Sequence, residues 1–244
     1  PVWAQNRGIS RERHIHNLLK HIVGGLGFGG LVHHDYVIDD NYTGAEGATA
    51  TGGSGSTSKL FSAPGLAVTD ANTNRQTSGQ DTTFYIVGGD YTIASTITAT
   101  PPAASMWHFI GEGKQRTQLT VTANPGFSLT SSGLADRFRF SNMTIVTSTA
   151  GVTCISAGSS PTELIEVDLQ PNNSTAVGIA VYNGTSFYYS LFAVNCDFGD
   201  PSTNTGKGID AGSLGSTQGA QFHVDNCRFT CSTGIEIYGG SSYL

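Results

Sequence analysis

Residues 140–229 carry one six-residue pattern four times: Phe140-Ser141-Asn142-Met143-Thr144-Ile145, Leu164-Ile165-Glu166-Val167-Asp168-Leu169, Ala193-Val194-Asn195-Cys196-Asp197-Phe198 and Val224-Asp225-Asn226-Cys227-Arg228-Phe229. The third positions, 142, 166, 195 and 226, advance by 24, 29 and 31 residues. Each copy is followed by a second short segment that opens on glycine: Gly151-Val-Thr-Cys, Gly178-Ile-Ala-Val, Gly208-Ile-Asp-Ala and Gly234-Ile-Glu-Ile. Two repeats that run in the same order describe one winding unit. Steps of this size, with several short strands and no helix-period segment between them, predict a parallel β-solenoid.

Stacked coils sit about 4.8 Å apart, so equivalent side chains form columns along the axis. In the first segment Met143, Val167, Cys196 and Cys227 are expected inside, as are Ile145, Leu169, Phe198 and Phe229. Thr144, Asp168, Asp197 and Arg228 then face outward. In the second segment Val152, Ile179, Ile209 and Ile235 are expected inside, and Thr153, Ala180, Asp210 and Glu236 outside. Asn142, Asn195 and Asn226 occupy a turn where stacked amides bond along the axis, and Glu166 breaks that ladder.

Outward from the repeat, the composition agrees. Gly, Ser and Thr fill 86 of 244 positions and charged residues only 12%. Segments such as Thr83-Phe84-Tyr85-Ile86-Val87 and Leu119-Thr120-Val121 are short and β-branched or aromatic, as strands are. Residues 59–244 are read as the solenoid, 43–58 as a Gly/Ala/Ser/Thr spacer and 1–42 as an attachment arm. In the arm, Ser10 caps a predicted helix whose apolar positions Ile15, Leu18, Leu19 and Ile22 follow the i, i+3, i+4, i+7 rule. So short a helix needs a partner for that stripe, either a symmetry mate or a neighbouring protein.

Charge excludes some partners. Residues 1–34 carry a net +3 and 35–244 a net −9 within a total of −6, so the body repels nucleic acid and suits neutral surfaces or glycans. Apolar stretches fall well short of the roughly 20 residues that span a bilayer, so membrane insertion is not expected. Cys154, Cys196, Cys227 and Cys231 form no metal-binding pair of pairs and are expected as buried free thiols, with no metal and no cofactor. Gly-Leu-Gly-Phe-Gly-Gly at 25–30 lacks the strand and helix context of a nucleotide loop. Gly-x-Ser-x-Gly, Walker and His-Glu-x-x-His signatures are all absent.

Gly88-Gly89-Asp90-Tyr91-Thr92-Ile93, Thr96-Ile97, Phe109-Ile110-Gly111-Glu112-Gly113 and Arg116-Thr117-Gln118-Leu119 resemble the opening coils of pectin-lyase-like right-handed parallel β-helix proteins. That resemblance covers about 60–244 and implies a fold, not a chemistry, since the superfamily includes lyases, glycoside hydrolases, esterases and phage tailspikes. The order of arm, spacer and β-helix is similar to phage tailspikes and head or tail fibres. It implies a homotrimer on the virion exterior, anchored through 1–42. The sequence closes on Tyr238-Gly-Gly and Leu244 with no polar cap over the last inner column, so further coils beyond Leu244 are expected.

Two outward acidic pairs on adjacent coils, Asp168 with Asp197 (followed by Arg228) and Asp210 with Glu236, have the chemistry of glycoside cleavage. Neighbouring coils hold such carboxylates about 5 Å apart at the backbone, close enough for like charges to raise one pKa and leave an acid beside a base. Solvation of an outward face is the plain alternative. Tyr182, Tyr188, Tyr189 and Tyr238 are candidates for stacking on sugar faces. Three functions follow: a virion protein that contacts host-surface glycan, a polysaccharide lyase or endoglycosidase, and a purely structural decoration protein.

Overall fold

The computed structural model describes residues 34–51, 57–130, 136–158, 160–181, 189–211 and 220–237. In chain order these form β1 (Tyr36–Ile38), β2 (Ala48–Thr51), β3 (Thr57–Phe61), α1 (Pro64–Asn74), β4 (Thr82–Ile86), β5 (Gly89–Ile93), β6 (Ile97–Ala99), β7 (Met106–Gly111), β8 (Thr117–Val121), β9 (Phe127–Leu129) and β10 (Arg137–Thr147). There follow β11 (Thr153–Gly158), β12 (Thr162–Pro171), β13 (Val177–Val181), β14 (Tyr189–Val194), β15 (Asp197–Phe198), β16 (Lys207–Ala211), β17 (Ala220–Asp225), β18 (Arg228–Phe229) and β19 (Thr233–Ile237). They wind into a parallel β-solenoid of about five turns.

One sheet runs β17-β14-β12-β10-β7-β4-β1-β3-β2, with β5, β8, β15 and β18 joined to it. A second runs β19-β16-β13-β11-β9-β6. Among the described strands every pairing is parallel except β2 with β3, which is antiparallel. The registers Phe140↔Leu164, Leu164↔Ala193 and Ala193↔Val224 reproduce the steps of the sequence repeat.

Three inner columns illustrate the core. The first stacks Tyr36, Phe84, Phe109 and Phe140, with ring centroids 5.0, 4.6 and 4.9 Å apart, and continues through Leu164, Ala193 and Val224. Tyr91, Leu119, Ile145, Leu169, Phe198 and Phe229 form the second. Ile97, Phe127, Ile155, Ile179, Ile209 and Ile235 form the third. Each fully buried side chain of this kind contributes about 2 kcal/mol relative to its exposed state. Met143, Val167 and Cys196 are buried as expected, and Cys227 half-buried.

The recurrent glycines have a packing cause. A Cβ on Gly178 would lie 2.7 Å from the Gly208 carbonyl oxygen, and one on Gly208 2.8 Å from that of Gly234. Only a residue without a side chain lets these coils approach so closely.

Several expectations are corrected. Val152 is buried, but Ile155 is the residue in register with Ile179, so Gly151 does not align with Gly178. Gly151 is instead a turn residue with φ of 70°. Thr144, Thr153 and Ala180, expected on the outside, are all buried. The stretch read as a spacer contains β2, and the sheet begins before it, at β1 paired with β4. The short helix α1 was not anticipated. Pro64 opens it with a preset φ, Ala67, Val68 and Ala71 turn inward, and it packs on β3 and β6. Tyr36 donates to Asp70 of this helix at 2.8 Å, and Lys59 donates to the same carboxylate at 2.9 Å. Among the described residues no helix is long and apolar enough to cross a membrane. The predicted arm helix lies outside them.

Candidate functional site

The turn that bisects each repeat is left-handed. Asn142, Glu166, Asn195 and Asn226 have φ of 57, 55, 53 and 49°, a region that Asn tolerates through its short polar side chain and Glu does not. Because the turn recurs once per coil, these four side chains form an axial row at the surface. Glu166, Asn195 and Asn226 are exposed and Asn142 half-buried. The Asn226 amide donates to the Asn195 side-chain oxygen at 2.6 Å, one rung of the expected ladder. Glu166 stands between Asn142 and Asn195 and interrupts it.

The connection between β7 and β8 folds over this row. Gly113 donates its backbone N–H to the Asn142 carbonyl at 2.8 Å, and the Thr144 hydroxyl donates to the Lys114 carbonyl, which is why Thr144 is covered. Lys114 then reaches past the coils of β10 and β12. Its ammonium donates to the Asn195 carbonyl at 2.8 Å and to Asp197 Oδ2 at 2.9 Å. The result is a groove of about 410 Å³ lined by Gly113, Lys114, Asn142, Glu166, Asn195, Cys196, Asp197 and Asn226.

The expected acidic pairs are adjacent in register, Asp168↔Asp197 and Asp210↔Glu236. Asp197 lies between two cations, Lys114 at 2.9 Å and the Arg228 Nε at 3.0 Å. Asp168 is half-buried. Burial pushes its carboxyl above the usual range and the Asp197 charge adds to this, while donation from Gln170 at 2.8 Å opposes it. Asp168 Oδ1 is buried without a hydrogen-bond partner among the described residues. In the second pair, Lys207 contacts Glu236 and lies 3.7 Å from Asp210. Burial raises the Asp210 carboxyl, against the attraction of Lys207. Both pairs are thus acids set among cations, with one carboxyl in each biased toward its protonated form.

Tyr182, Tyr188 and Tyr238 lie outside the described residues, as do Ile15, Leu18, Leu19 and Ile22. Tyr189 opens β14, in register with Ala220. Cys154 and Cys196 are buried free thiols, each pushed up to about 12 mainly by burial.

Sequence reasoning missed two features. One is Lys114, whose reach across coils no local pattern signals. The other is Phe192, 38% exposed, which stacks on His223 of the next coil with centroids 4.8 Å apart. Strict alternation puts Phe192, five residues before outward Asp197, on the inside; the left-handed turn at Asn195 reverses the phase, so alternation alone does not find it.

No protein-family model and no curated protein matches the sequence. Among solved structures the chain is similar to Geobacillus virus E2 ORF18, at a TM-score of 0.43 and 16% identity over 96% of this chain. The match spans 60% of the length of that viral protein.

Proposed function

We propose that the protein is a phage structural or fibre protein of the virion exterior, anchored through residues 1–42 as a homotrimer and holding its β-solenoid against host-surface glycan. A kinship with the pectin-lyase-like superfamily belongs to the same proposal. The observation that carries it is the register of the coils. Side chains one coil apart repeat at about 4.8 Å along a stiff rod, so polar and charged groups form axial rows suited to an extended polymer. The acidic body suits uncharged glycans and disfavours nucleic acid. The test is adsorption of the full chain to polysaccharide purified from the host surface, together with its solution mass. Saturable adsorption by a species of three chains supports the reading. A monomer at micromolar concentration removes the trimer, and absence of adsorption leaves decoration of the particle as its role.

Cleavage is the second reading. It is favoured by Asp168, whose carboxyl is raised and whose Oδ1 lacks a partner beside Asp197. An acid next to an ion-paired carboxylate is the pairing that glycoside hydrolysis uses. If host polysaccharide is shortened by the protein, Asp197→Asn abolishes the shortening; undiminished activity removes this pair.

A further inference from the structure

We infer that the groove beneath the Lys114 strap seats a linear, uncharged, hydroxyl-rich polysaccharide lying parallel to the solenoid axis, with about one sugar unit to each coil. The inference rests on the glycan-contact reading above and names the place and the class of polymer.

Four observations converge. The lining residues come from five successive coils, Lys114, Asn142, Glu166, Asn195 with Asp197, and Asn226, so the groove is a row along the axis and not a pit. Second, the row is rich in amides. An amide offers two donors and an acceptor with two lone pairs, and a sugar hydroxyl is itself donor and acceptor, so each amide meets vicinal hydroxyls in either sense. The rung from Asn226 to Asn195 engages one donor and one acceptor, and leaves the Asn195 amide nitrogen and the second Asn226 donor without a side-chain partner among the described residues.

Third, the charges select against polyanions. Lys114 is already matched by Asp197 at 2.9 Å, and Asp197 also by Arg228, so the carboxylate of Glu166 stands in the groove without a matching cation among the described residues. An acidic polymer would meet that charge at close range. Fourth, the backbone is set before any ligand arrives. The left-handed turns and the strap hold the side chains in place, which lowers the ordering cost of binding. An apolar ligand finds little to bury here, since Gly113 and the buried Cys196 are the only lining residues without a strongly polar side chain.

The test uses the full chain and calorimetric titration with maltoheptaose, cellohexaose and chitohexaose as uncharged probes and an oligogalacturonate as the acidic one. The informative variant is Asn195→Gly with Asn226→Gly. Glycine adopts the positive φ of both turns, so the amides are removed with the backbone kept. The expected result is binding of at least one uncharged hexamer or heptamer, at least tenfold tighter than its disaccharide, with a loss of tenfold or more in the double variant. Glu166→Asn is expected to narrow the discrimination against oligogalacturonate. Equal binding by wild type and the double variant overturns the groove and leaves the glycan-contact reading standing. Preference for oligogalacturonate, or binding of host polysaccharide with none of the uncharged probes, overturns the class of polymer. A wild type that binds no glycan of any kind overturns both.

Discussion

The early and late coils are built to one register and stabilised differently. From Tyr36 to Phe140 the first inner column is an unbroken stack of four aromatic rings, all fully buried, closed at its end by α1 and the β2–β3 pair. From Leu164 to Val224 the same column is aliphatic and shrinks to Ala193, and the positions beside Ala193 and Val224 are the thiols Cys196 and Cys227. The polar groove lies mainly over these later coils. Large stacked side chains make the amino-terminal coils a stiff base, while smaller cores leave the later coils to be tied together from outside, by the amide rung, the Lys114 strap and the Asp197 ion pairs.

The largest test of this contrast is truncation of one ring in each half. Phe109 sits between Phe84 and Phe140, and Phe109→Ala is expected to cost about 3–5 kcal/mol in urea unfolding. Phe229 is half-buried with a single stacked neighbour, Phe198 at 4.8 Å, and its truncation is expected to cost less than about half as much. Equal losses would erase the distinction.

Acid offers the next. His108 on β7 is held down to about 4 by burial and then by the nearby Arg139 and His34 charges, and its Nε2 lies 2.8 Å from the Ser141 hydroxyl. The unfolded chain takes up this proton near pH 6.5 and the folded one only near 4. Stability from His108 is therefore full above pH 6.5 and lost as pH falls between those values, by about 1–2 kcal/mol after allowing for its partial exposure. The raised carboxyls Asp168 and Asp210 act in the opposite sense, stabilising at low pH and losing that contribution as pH rises through their folded pKa values. Melting curves of wild type and His108→Gln across pH 4–7 separate the two: the variant should show a flatter profile.

A smaller effect has the reverse sign. Glu166→Asn replaces a residue poorly suited to φ of 55° and supplies the missing amide, so a gain of about 1 kcal/mol is expected. A loss would mean that the carboxylate has a structural partner of its own. Smallest is Lys114→Met, which removes a partly exposed ion pair and should cost no more than about 1 kcal/mol.

The repeat was legible because the left-handed turn needs Asn, or a residue that tolerates its place, once per coil, and the buried columns need apolar residues on either side. The reading failed at Gly151, for a physical reason. A glycine that permits a positive φ and one that permits close packing look alike in sequence, and Gly151 is the first kind while Gly178 and Gly208 are the second. The helix α1 was hidden by a weak period, since Ala67, Val68 and Ala71 are a faint apolar stripe. Asp168 and Asp197 were found because register alone aligns them. Lys114 was not, because its partner lies 83 residues away and depends on how a loop docks across coils.

The most direct measurement is electron cryomicroscopy of intact particles incubated with the uncharged oligosaccharide that binds most tightly in solution. The account predicts the solenoid projecting from the particle surface in groups of three, with extra density running along Lys114, Glu166, Asn195 and Asn226. Solenoids enclosed within the particle, or ligand density on another face of the coils, would contradict it.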